Sequence, residues 1–223
     1  MSQRLGLPDP SRFPSRLLKA HVLVLPAGSL LGRIHTTAGS YPTSWQEFRF
    51  FGPTGSRFDH QPPPRRVHPV RGILYAATAS TDAAGDPVPV LRTCLAEVFQ
   101  TRQIVDLSRD APFYVLFRST RALRLLDLAD SDWVTRAGGN AAISSGLRAT
   151  ARQWSRAIYR AYPTLDGIQY PCSQVPPARS IALYERAQNA IPARPQVQLP
   201  LTHGALRPEI EIYADELGLG LLL

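Results

Sequence analysis

A chain of 223 residues is long enough for one domain with a sizeable buried core. Its 44% hydrophobic and 19% charged residues exclude a disordered chain, and no apolar run approaches the roughly 20 residues that cross a bilayer. The formal charge of +8 is almost entirely arginine, since Lys19 is the only lysine, and a planar donor fork of that kind suits a phosphate- or carboxylate-bearing partner.

Only two cysteines occur, Cys94 and Cys172, far apart and in apolar settings. They argue against a disulfide framework or a structural zinc site and suit a reducing compartment. The short apolar run at 21–25 is no signal-peptide core, so a cytoplasmic location is expected, with no membrane partner.

Residues 1–29 read as an N-terminal arm, loose or packed on the outside over 1–16, where prolines and arginines show no periodicity. A strand is expected at 30–35. The long stretch 38–71 carries Tyr41, Trp45, Phe48, Phe50 and Phe51, which favour an ordered cleft wall over a structureless loop. A second strand follows at 73–77. The 3.6-residue period over 90–101 predicts a helix that buries Leu91, Cys94, Leu95 and Val98, with Glu97 on the margin where a carboxylate can face a cleft.

Strands are expected at 103–107, 113–118 and 123–128, then a short helix at 130–135. Asn140 reads as the cap of the longest helix, running to about 162 with Leu147, Ala151, Trp154 and Ile158 in its core stripe. Arg148, Arg152, Arg156 and Arg160 share another face of it. Strands at 165–170 and 180–184 flank the turn Pro171-Cys172-Ser173. The tail 187–223 is expected to pack on the domain, with an edge strand at 209–213. This irregular alternation predicts an α+β fold with a mostly antiparallel sheet and excludes a doubly wound nucleotide fold. Neither GxGxxG nor a P-loop is present, and no His or Cys pair has metal-ligand spacing, so no metal is expected.

Arg57 after the Gly55 turn, Tyr75 inside a strand and Glu97 on a helix margin form a set that can grip an anionic, ring-bearing ligand. Taken singly, they read equally well as a turn arginine, a core tyrosine and a solvated glutamate. Five stretches add to them: Leu31-Gly32-Arg33-Ile34-His35, Gly55-Ser56-Arg57-Phe58, Ile73-Leu74-Tyr75-Ala76-Ala77, Leu95-Ala96-Glu97-Val98, and Asp166-Gly167-Ile168-Gln169-Tyr170 continuing into Cys172-Ser173 and Ala182-Leu183-Tyr184. In this order they resemble the RES family, toxins of bacterial toxin-antitoxin pairs named for an arginine, a glutamate and a serine.

The resemblance implies a split, mostly antiparallel sheet like that of ADP-ribosyltransferases, flanked by helices, in a catalytic domain at 30–186. It implies an NAD glycohydrolase or NAD phosphorylase, with NAD as substrate and no cofactor. Arg57, Tyr75 and Glu97 take the family's arginine, strand-tyrosine and glutamate roles, and Arg33 matches an earlier strand arginine. The serine position falls on Cys172, with Ser173 one residue later, so a thiol replaces the hydroxyl or the turn has slipped. Implied partners are a cognate antitoxin of the Xre/DUF2384 type, nucleic acid only through that antitoxin, and a second copy of the chain.

Cleavage of a nicotinamide–ribose bond develops positive charge on the sugar, and a fixed carboxylate such as Glu97 favours that state over the ground state. Arg57 and Arg33 suit a pyrophosphate through paired, charge-assisted hydrogen bonds. Tyr75 can stack on the base or orient the sugar, and Ser173 or Cys172 can donate to phosphate or ribose. Two other readings stand beside this one: transfer of ADP-ribose to a protein or nucleic acid, and a non-catalytic, arginine-rich nucleic-acid-binding module.

Overall fold

The computed structural model describes residues 4–175 and 177–223. Its strands in chain order are β1 (Val22–Leu25), β2 (Leu30–Thr36), β3 (Phe51–Gly52), β4 (Arg66–Val67), β5 (Ile73–Thr78), β6 (Ser80–Thr81), β7 (Pro87–Val88), β8 (Ile104–Asp106), β9 (Pro112–Arg118), β10 (Leu123–Asp127), β11 (Gly167–Pro171), β12 (Arg179–Tyr184), β13 (Val197–Pro200) and β14 (Gly220–Leu222). The helices are α1 (Val90–Phe99), α2 (Trp133–Arg136), α3 (Ala142–Ser145), α4 (Arg148–Ala161) and α5 (Arg207–Glu216). Eight strands form the main sheet in the order β1-β10-β11-β12-β5-β2-β9-β13. Within this sheet only β10 and β11 run parallel, so the expected α+β fold with a mostly antiparallel sheet is what forms.

The feature that positions everything else is a split in this sheet. β5 pairs with β12 over six positions and β2 with β9 over seven, yet β2 and β5 meet only at Leu31↔Thr78 and Gly32↔Ala77. Beyond those two pairs the strands part and a cleft opens between them. α1 seals the closed end, and Gly32 is required there, because a Cβ would stand 2.4 Å from the Val90 methyl. α1 is anchored by Leu91, Cys94, Leu95 and Phe99. Each large apolar side chain contributes roughly 1.5–3 kcal/mol by leaving water.

Several expectations are corrected. Val98 is 46% exposed and Phe99 takes its core position, a one-residue turn of the helix that swings Glu97 toward the cleft. The long helix after Asn140 is two: Asn140 accepts from the Ala142 amide, α3 ends at Gly146 in extended backbone, and α4 starts only at Arg148. Leu147, expected in the core, lies in the break and is 63% exposed. Residues 209–213 are helical within α5, not an edge strand: Ile210 and Ala214, four apart, are buried beside α1 residues, and Pro208 sits in the first turn.

Neither terminal region is an appendage to the sheet. β1 from the arm forms one edge and β13 from the tail the other. Phe13 is buried, stacked on Trp154 at 5.6 Å and edge-on to Trp133 at 5.1 Å. Residues 1–3 of the arm lie outside the described residues. No helix among the described residues is long and apolar enough to cross a membrane.

Candidate functional site

The split encloses a cavity of about 630 Å³, within the usual range for a small-molecule site. Arg33, Arg57, Tyr75, Glu97 and Ser173, separated by up to 140 residues of chain, all line it. Cys172 does not, but its side chain touches the Glu97 carboxyl from behind the wall.

Arg57 is presented by a loop fixed from three directions. Asp59, fully buried, accepts from Arg49 Nη2 at 2.6 Å, the Thr54 amide at 2.6 Å, Thr54 Oγ1 at 2.8 Å and Tyr75 Oη at 2.9 Å. Tyr75 Oη in turn accepts from the Phe58 amide at 3.2 Å, and Ser155 Oγ of α4 donates to the Phe58 carbonyl at 2.6 Å. The tyrosine hydroxyl thus positions the loop, which leaves its ring edge for a ligand; burial and then Asp59 push its pKa well above the ordinary phenol value.

The break between α3 and α4 has a use here. Gly146 ends α3 in extended backbone, and its carbonyl accepts from Arg57 Nη1 at 2.6 Å. A carbonyl within an unbroken helix would be occupied by the amide four residues on. Burial and the neighbouring Arg148 lower the Arg57 pKa, while Glu97 acts in the opposite sense, so arginine and glutamate feel each other across the cleft.

Glu97 receives Ser180 Oγ at 3.2 Å. Burial pushes its carboxyl above the ordinary range, against the pull of Cys172, Ser180, Arg57 and Arg148. Burial, with Glu97 beside it, pushes the Cys172 thiol up to about 12, so the thiol stays protonated next to the carboxyl. Between the two candidates for the serine position, Cys172 is the one at the glutamate and Ser173 is an exposed part of the rim.

Arg33 projects from β2 just past the split. Nη1 donates to the Trp45 carbonyl at 3.0 Å and the Glu47 carbonyl at 3.4 Å, while Nε is buried without a partner. Burial lowers its pKa to about 10, so it remains cationic at neutral pH, and no carboxylate among the described residues forms an ion pair with it. The Glu47 carboxylate on the same wall offsets its charge only from a distance, and a buried guanidinium with no ion-pair contact favours an anion in the cavity.

With the geometry in hand, comparison with known proteins gives one decisive result. A family model described as the RES domain matches residues 30–203, well over half of the chain. The chain belongs to the RES domain family. No curated protein matches this RES domain. Its fold is similar to that of a chain in the crystal structure of the M. tuberculosis MbcT-MbcA toxin-antitoxin complex, with a TM-score of 0.51, 16% identity, and coverage of 85% of this chain and 92% of that one. The matched segment contains every candidate site residue, from Arg33 to Ser173.

Four groups around the RES cavity were not singled out from sequence: Arg49, Asp59, Tyr170 and Ser180. Tyr170 and Ser180 face each other across the β11–β12 pair, and both line the cavity. Ser180 follows Arg179 in a strand that is otherwise apolar, a faint sign that this position meets something polar. Asp59 two residues after Arg57 carried no such sign, because nothing in a turn sequence shows that Arg49, Thr54 and Tyr75 will converge on one carboxylate.

Proposed function

We propose that this RES domain is the toxin of a bacterial toxin-antitoxin pair and that it degrades NAD by cleaving the nicotinamide–ribose bond. The observation that supports it is the cavity itself: a buried carboxylate, Glu97, shares one wall system with two guanidiniums, Arg57 and Arg33, that form no ion pair among the described residues. A dinucleotide offers a pyrophosphate for the arginines and, one ribose away, the bond that would sit at the glutamate.

When the C1′–N bond breaks, its electron pair leaves with nicotinamide and the ribose ring becomes cationic. The Glu97 carboxylate, held by Ser180 on the cleft wall, stabilises that cation more than the neutral ribose. Arg33 and Arg57 hold the pyrophosphate, so the ribose cannot drift from the carboxylate. Water then adds to C1′ and releases a proton, giving ADP-ribose; phosphate as acceptor gives the phosphorylated sugar. NAD is consumed as substrate, and no further cofactor enters.

The fold-level likeness to a chain from a toxin-antitoxin complex supports a cognate antitoxin as partner, here read as one of the Xre/DUF2384 type. Incubating the purified chain with ribose-labelled NAD, with and without phosphate, tests the proposal. Free ADP-ribose indicates hydrolysis, its phosphorylated form phosphorolysis. Label fixed to protein or nucleic acid would assign the chain to ADP-ribosyl transfer, and unchanged NAD would remove the NAD reading altogether.

A further inference from the structure

NAD chemistry leaves one conspicuous sequence feature unused, the arginines at four-residue spacing on α4. The helix has no acidic residue, and its buried side is Ala151, Trp154, Ser155 and Ile158, so Arg152, Arg156 and Arg160 occupy the other side. Elsewhere arginines meet carboxylates, as Arg121 does Asp166 at 2.7 Å, but no ion pair among the described residues involves these three. Asp9, the only carboxylate in the arm beside this helix, is turned onto the amide and hydroxyl of Ser11 at 3.0 and 2.7 Å. Like charges four residues apart on a helix repel. Burial and then the guanidiniums of Arg152 and Arg160 lower the Arg156 pKa, the sign of that repulsion. An anion from outside would relieve it.

We infer that this face of α4 binds the phosphate backbone of nucleic acid without reading its sequence. The rungs of the arginine row are about 6 Å apart, from a rise of about 1.5 Å per residue, which is on the scale of one phosphate to the next along a strand. Arginine's donor fork matches a phosphate's paired oxygens. A protein docking surface is usually centred on large buried anchors, and none of the exposed large apolar side chains lies within α4, where only small alanines face the groove. Beside the row runs an open groove of about 420 Å³ with an apolar floor, Pro8 and Pro10 of the arm with Ala157 and Ala161 of the helix, and with Gln153, Arg156 and Arg160 along it, so a backbone lying there meets guanidiniums on one side and rests its sugars on the other. This binding is separate from NAD cleavage and stands or falls independently of it.

The test is fluorescence anisotropy of a short random-sequence DNA duplex with the full chain across a salt series. About three phosphate contacts give a slope of log affinity against log salt of roughly −2 to −3. Replacing Arg152, Arg156 and Arg160 together by Gln should flatten the slope by about one per arginine and cut low-salt affinity at least about tenfold, with NAD turnover unchanged. Replacing the exposed Arg65, Arg66 and Arg194 by Gln removes the same charge elsewhere and should leave the slope in place. If the triple variant melts early, Arg160→Gln alone, on an exposed residue, should flatten the slope by about one. Absence of duplex binding at low salt, equal losses in the two triple variants, or preference of this face for polyglutamate over the duplex would each overturn the inference, the last in favour of an acidic protein partner.

Discussion

Asp59 and Glu97 are both carboxylates taken out of water within a few residues of the same cleft, and their surroundings differ. Asp59 accepts four hydrogen bonds, one from a guanidinium, and every one of its donors belongs to the wall. Glu97 has one serine hydroxyl at 3.2 Å and a neighbouring thiol, and burial still raises its pKa. The fold uses Asp59 to fix a loop, while burial works against the charge of Glu97 on the cleft wall. A charge held under tension beside a cavity is available to stabilise a cation that appears there, which is the distinction between a carboxylate that builds a site and one that works in it.

The largest effect that sharpens this contrast belongs to Glu97→Gln. NAD turnover should fall on the order of 10²- to 10³-fold, because the amide cannot neutralise a ribosyl cation. The same variant should melt at a higher temperature than the parent at neutral pH. Its folded pKa lies above the ordinary value of 4.5, so the neutral form is favoured by folding; the parent's deficit should be full well above that value and close as pH falls through it. Thermal melts of both proteins across pH check the sign, and a parent that is the more stable at pH 7 would break the comparison.

Asp59→Asn should act in the opposite way on stability. The amide places a donor against the Thr54 amide and hydroxyl and leaves Arg49 without its counter-charge, so a loss of about 1–3 kcal/mol is expected in chemical denaturation. With the Arg57 loop loosened, kcat/KM should drop about 10- to 100-fold, mostly through KM. A smaller effect separates the two turn residues. Cys172→Ala removes a group that pulls the Glu97 pKa down, so the acid limb of the pH–rate profile should move up, while Cys172→Ser should restore it. Ser173→Ala, on the exposed rim, should leave stability within about 0.5 kcal/mol and that limb where it was.

How far the sequence could be read follows from how local each signal was. α1 was legible because four core positions repeat at the helical period, and the error at Val98 is a rotation of one residue. The EIEIY run in α5 alternates like a strand, and only packing of Ile210 and Ala214 beside α1 made it helical. The Ser144-Ser145-Gly146 run is a weak break signal that the Ala and Leu residues on either side outweighed in the helical pattern, and the carbonyl it frees meets Arg57 from 89 residues away.

By itself, the sequence determined that this is an α+β chain of the RES family with an arginine, a tyrosine and a glutamate worth placing together, because family motifs and helical or strand periods are written over short spans. Only the tertiary structure decided that β2 and β5 part after two pairs, that Asp59 and the Gly146 carbonyl hold the Arg57 loop, and that Cys172 rather than Ser173 touches Glu97. Those are outcomes of burial and hydrogen-bond matching among segments far apart in the chain, and no short stretch carries the energy that selects them.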